Sequence, residues 1–173
     1  MDEIRTDQPS LYDEDVVAWA EQQAAALRAL SARPEFSNIL DWDNIIEEVE
    51  DVGRSEIRTL EGTLRAMLVH VLKYLSAPAA QSVRSWRAEI IAFHATARRR
   101  YTRSMRQRID WDSLWRDATA VAAGELAVWG DKLAAGLPDR NPFTPGELVA
   151  EDFTLDRALL RLASTLQNPN DHH

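Results

Sequence analysis

Apolar residues recur every three or four positions along most of this chain, and that period predicts helices throughout. The longest run lies between Asp41 and Ser76, where Ile46, Val49, Gly53, Ile57, Leu60, Leu64, Met67, Val71 and Leu75 share one narrow stripe at 100° per residue. A helix over this stretch starts with Asp41 as N-cap and stops before Pro78, which cannot continue it. At about 1.5 Å per residue it would reach roughly 50 Å, a length that invites a kink at Gly53 or Gly62. Gly53 falls inside the apolar stripe, where a missing side chain lets another backbone come close.

Ahead of this central helix, Val16, Ala20, Ala24, Leu27 and Ser31 define a first helix from Ser10 to Arg33, flanked by Tyr12, Trp19 and Leu30. Ser10 is its expected cap, and Pro34 stops it. A third helix is predicted over Ser82 to Arg108 on Trp86, Ile90, Phe93, Ala97 and Tyr101. A fourth runs from Trp111 to Ala135, with Gly136 at its stop. Trp111, Leu114, Trp115, Ala118, Ala122, Trp129 and Leu133 make its apolar face, with Glu125 in their midst. Thr144, Pro145 and Glu147 spell an N-cap, a Pro at N1 and a Glu at N3, and Leu155 to Leu166 forms a last short helix. The string Leu40-Asp41-Trp42-Asp43 is echoed by Ile109-Asp110-Trp111-Asp112, which has two readings: a pair of duplicated helical hairpins or, more simply, one capping solution used at two helix starts. The expected fold is all-α: an antiparallel four-helix bundle with a long central helix and short C-terminal helices. Residues 10–167 are read as one domain, 1–9 as a loose segment and 168–173 as a flexible tail.

Composition narrows the class without changing this picture. Among 173 residues there are 6 Gly and 7 Pro, which suits long helices, and no Cys, which removes thiol chemistry, disulfides and Cys-based zinc sites. The formal charge of -8 argues against a nucleic-acid binder. Acidic and basic residues are separated, however: residues 1–76 carry net -9, 77–117 net +5, and 118–173 net -4. The basic stretch holds Arg84, Arg87, Arg98, Arg99, Arg100, Arg103, Arg106 and Arg108, for which an acidic neighbour in the same fold is the simplest partner. The first ten residues contain no apolar leader and no run is long enough to cross a membrane, so the expected location is cytoplasmic. His172 and His173 close the chain and make a weak metal site by themselves.

The run ILDWDNIIEEVEDVGRSEIRTLEGTLRAMLVHVLKYL, with SVRSWRAEII, AAGELAVWGDKL and LPDRNPFTPGELVAEDF after it, resembles the bacterial family known as domain of unknown function 29. Its most specific parts are the Asp41-Trp42 opening, Glu47-Glu48-x-Glu50, Ser55, His70 with Leu72-Lys73, and Ser85-Trp86-Arg87. The resemblance implies an all-helical protein and assigns no activity. The Arg-rich run after Arg98 departs from the family pattern, and the last helix extends past it.

Candidate chemistry is sparse. Glu47, Glu48, Glu50 and Asp51 suggest a carboxylate metal centre, but the Glu-x-x-His pairs of di-metal bundles are missing: Met67 stands three before His70 and Ile91 three before His94. No metal or cofactor is therefore expected. His70 and Glu125 interrupt apolar faces, and a desolvated carboxylate needs a partner such as His70 or Arg87. Glu50, His70, Arg87 and Glu125 form the candidate polar site, with Glu47, Ser55, Ser85 and Trp86 as secondary candidates. With no nucleophile constellation and no phosphate-binding loop, the leading reading is a non-enzymatic interaction or regulatory module, self-associating or bound to an unknown protein through its six Trp. The alternatives are a small-ligand or metal-binding protein, enzyme included, with a polar site between helices, and nucleic-acid binding through the Arg-rich third helix.

Overall fold

Helix starts and stops are decided by who satisfies the first N–H and last C=O groups, and the chain does this with capping side chains at several starts and with backbone N–H groups at the stops. In the computed structural model, which describes residues 10–36 and 38–167, these ends bound seven α-helices and one 3-10 helix, with no strand among the described residues. They are α1 (Leu11–Glu14), α2 (Val16–Ser31), α3 (Trp42–Ser76), α4 (Val83–Arg100), the 3-10 helix Arg103–Gln107, α5 (Trp111–Val128), α6 (Pro145–Leu148) and α7 (Leu155–Gln167). The all-helical class, the long central helix and the short C-terminal helices are as expected. The segments 1–9 and 168–173, with His172 and His173, lie outside the described residues.

The described residues sort into two compact units, one of 10–59 with Thr102–Arg108, the other of Leu60–Tyr101 with 109–167. Helix α3 contributes its first half to one and its second half to the other.

In the first unit the single helix expected over Ser10 to Arg33 is two. Asp15 leaves helical geometry (φ -151°, ψ 82°), and its carboxylate caps α2 by accepting from the Ala18 N–H at 3.0 Å. Ser10 instead caps the four-residue α1, in a reciprocal box with Asp13. Helix α2 then packs Val17, Ala20 and Ala24 inward. Gly53 faces it: a Cβ there would lie 3.4 Å from the Ala20 Cβ and 3.7 Å from the Val17 Cα, ordinary contact distances, so the close approach expected to need a glycine would also take an alanine. The long helix is one unbroken element across Gly53 and Gly62. At its start Trp42 donates its indole N–H back to the Phe36 carbonyl of the preceding linker at 2.8 Å.

The second unit is built on Leu60, Leu64, Met67, Leu68, Val71 and Leu72 of α3, all essentially sealed from solvent. Trp86, Ile90 and Ala97 of α4 are buried, as are Leu114, Trp115, Ala118, Ala122 and Leu126 of α5 and Leu148, Leu155 and Leu162 after it. Burying a side chain of this size contributes about 1.5–3 kcal/mol. Two expected boundaries move. Helix α4 ends at Arg100, where Tyr101 turns extended, and the Arg-rich run continues as the separate 3-10 helix. Helix α5 stops at Val128 rather than Ala135. Gly130, at φ 79°, donates to the Ala127 carbonyl and Asp131 to the Leu126 carbonyl, the paired bonds of a Schellman stop. Trp129 and Leu133 therefore leave the helix face assigned to them by the period. Asp110 caps α5 from the Ser113 N–H at 2.9 Å, and the Thr144-Pro145-Glu147 box caps α6 as read from the sequence.

Candidate functional site

The four candidate residues each have their own partners. Glu50 belongs to the first unit, where it pairs with Arg28 and, at 3.6 Å, with Arg54. The other three lie in the second unit. Arg87 faces Asp156, its guanidinium donating at 3.1 and 3.4 Å, and so is not the partner of Glu125. His70 Nε2 lies 2.7 Å from Glu89 Oε2. Glu125 accepts from Lys73 Nζ at 2.6 Å.

The desolvated charge read from the sequence is real, but it is the other partner. Glu125 is 47% exposed, whereas Lys73 is 9% exposed and sits among apolar side chains. An ammonium so placed needs compensation. It receives the Glu125 carboxylate on one side and the face of the Trp86 ring, 4.9 Å away, on another. Helix periodicity explains the arrangement, since Lys73 is one turn beyond His70 on α3, and Trp86 is held by α4 with Ala77 and Leu126 packed on it.

His70 shares this neighbourhood. Burial holds its pKa below the usual value, and Lys73 adds to that, while Glu89 and Glu125 pull the other way. The ring stacks on Phe93 at 5.7 Å. With the Glu89 carboxylate taking the Nε2 proton, Nδ1 is a bare acceptor, buried and with no hydrogen-bond partner among the described residues. Ser85 Oγ donates to the second oxygen of Glu89 at 3.1 Å, completing a Ser85, Glu89, His70 chain.

Of the secondary candidates, Trp86 therefore joins Glu125 at Lys73, and Ser85 joins His70 through Glu89. Glu47 and Ser55 remain in the first unit, where each is exposed and offers its backbone carbonyl, to Arg54 and Thr59 respectively. Lys73 and Glu89 were missed by sequence reasoning. The signal for Lys73 was its position as the one cation in the apolar run of residues 66–75.

Lys73, Trp86, Glu125, Leu126, Trp129 and Asp131 line a cleft of about 440 Å³ in the second unit. Trp129 stands at its rim, 83% exposed, beside Val128 at 78%. A smaller groove of about 330 Å³ in the first unit is bordered by Glu21 and Glu50, both already engaged by arginines. The Arg-rich stretch is likewise partnered: Arg98 faces Glu151 and Arg108 pairs with Glu21. Among the described residues no three His, Asp or Glu side chains gather as a metal centre. No helix among them is long and apolar enough to cross a membrane.

Comparison with curated proteins returns no match. The chain is similar to an alpha-helical protein of unknown function from Rhodospirillum rubrum ATCC 11170, known from a crystal structure at 1.45 Å, with 35% identity over 90% of this chain and 99% of that one and a TM-score of 0.80. Residues 11–154 match the family model for the domain of unknown function DUF29, and the chain belongs to that family.

Proposed function

We propose that this chain is a non-enzymatic protein-interaction module of the bacterial cytoplasm and that the Trp129 cleft is its recognition face. One observation carries the reading: Val128 and Trp129, 78% and 83% exposed, are presented to solvent by a rigid Schellman turn at the rim of the cleft. An exposed indole on a fixed backbone is the residue type that dominates protein interfaces, because it brings a large contact area at low entropic cost. The cleft beside it supplies a concave surface that combines the apolar Trp86 and Leu126 with the charged Lys73, Glu125 and Asp131.

The test compares the wild-type chain with Trp129→Ala. Sedimentation velocity over a wide concentration range reports self-association, and quantitative affinity capture from a bacterial extract reports a second protein. The variant is expected to lose the self-association or the captured protein by tenfold or more, a loss on the order of 1.4 kcal/mol. Identical sedimentation and identical capture for the two proteins would overturn the reading.

A further inference from the structure

We infer that the cleft recognises a basic side chain, arginine above all, presented by a protein partner. The inference rests on the reading of the cleft as a recognition face and adds the chemistry of what enters it.

The protein contains its own precedent. Inside the cleft Lys73 is held between the Trp86 ring at 4.9 Å and the Glu125 carboxylate at 2.6 Å, an aromatic face and an acid around one cation. The same two residue types occur again in the lining as Trp129 and Asp131, two positions apart across Gly130. There no cation stands between them among the described residues. Lys73 and Glu125 neutralise each other, so the charged residues of the lining sum to -1, from Asp131. A cation is the ligand that this balance attracts.

Geometry favours arginine over lysine. The indole of Trp129 is exposed, and a planar guanidinium stacks on such a face while its edge donates to a carboxylate, which a compact ammonium does less well. The turn that carries both groups is fixed by the Gly130 and Asp131 backbone bonds, so little order has to be imposed on binding.

The experiment titrates full-length protein with a short capped peptide containing one Arg, with its citrulline counterpart, which is neutral and nearly the same shape, and with ethylguanidinium. The readout is the set of tryptophan indole N–H signals in two-dimensional NMR, with Trp129 identified from the spectrum of Trp129→Phe. The Arg peptide is expected to move the Trp129 signal saturably and to bind at least tenfold more tightly than the citrulline peptide. Asp131→Asn is expected to weaken it about threefold to tenfold and to flatten its salt dependence. Trp129→Ala is expected to abolish it.

Equal binding of Arg and citrulline peptides would overturn the inference and leave the recognition face standing. So would a Trp129 signal that no peptide moves, while Trp129→Ala still changes sedimentation or capture. Tighter binding of ethylguanidinium than of the peptide would replace the protein partner by a small organic cation. Binding unaffected by both variants would place it elsewhere on the surface. Both substitutions are at exposed or half-buried positions outside the helices, so the variants are expected to fold, and far-ultraviolet circular dichroism checks this.

Discussion

Asp15 in the first unit and Lys73 in the second are charges taken partly out of water, and they are stabilised in opposite ways. Asp15 is satisfied by neutral donors fixed in the backbone and nearby hydroxyls: the Ala18 N–H at 3.0 Å, Thr102 Oγ1 at 3.0 Å, and the Ser104 N–H and Oγ at 3.2 and 2.6 Å. Burial works against its charged form, but the bonds from Ser104, Ala18 and Thr102 outweigh it and hold the carboxyl below its ordinary pKa. Lys73 is instead balanced by a half-exposed carboxylate and a ring at the edge of a cleft. The first arrangement closes a structure, because every donor belongs to the fold. The second leaves a partner, Glu125, that also faces whatever enters the cleft. A charge held by the fold's own donors is structural, and one held by an exposed counter-charge is open to exchange.

The largest expected effect tests the structural half of that contrast. Asp15→Ala removes a helix cap and four accepted hydrogen bonds and should cost about 2–3 kcal/mol in urea unfolding, a fall in Tm of roughly 5–10 °C. A loss under about 1 kcal/mol would put Asp15 on a level with an ordinary exposed cap. Next comes Gly130→Ala, which forces a side chain into the left-handed region at φ 79° and should cost about 1 kcal/mol while loosening the turn that presents Trp129. Lys73→Met keeps the packing against Trp86 and leaves Glu125 solvated, so stability should change by less than about 1 kcal/mol. A loss of several kcal/mol there would mean that Lys73 is as structural as Asp15.

The smallest effect is a slope with pH. Folded His70 and His94 hold their protons less tightly than unfolded histidine, because burial lowers both pKa values. The unfolded chain then binds more protons, so their contribution is complete above about 6.5 and is lost as pH falls below it. His70→Gln should flatten the slope of stability between pH 7 and 5. Asp15 adds a loss of the same sign, setting in as pH falls toward 3.8 and below.

Much of the fold was legible from helical period and end signals, because these are local: α3 begins and ends where Asp41 and Pro78 say, and the Thr144 box caps α6 as written. What escaped was settled at a distance. The break at Asp15 depends on Thr102 and Ser104, which no local pattern links to it. The end of α5 was hidden by Trp129 and Leu133, which continue the apolar period past Gly130, although the Gly130-Asp131 pair was itself a stop signal. In the candidate site, His70 was visible beside an apolar stripe, Glu125 as an interruption of one, and Trp86 as a member of the apolar face of its own helix. Their pairing through Lys73 and Glu89 required the packing of three helices.

The hydrogen bonds on Asp15 join residues 87 and 89 positions apart. During synthesis at about 5–20 residues per second, the N-terminal helices would wait on the order of 5–20 s for Thr102 and Ser104 to be made. The first unit, although most of it lies within residues 10–59, cannot close before residues 102–108 have been made. Closing so long a loop is also slow compared with forming its helices, so the Asp15 contact is placed to be a late event in folding. A nascent chain halted before residue 102 would carry α1 and α2 without the donors that hold them at Asp15, a state that pulse proteolysis of stalled ribosome complexes would reveal.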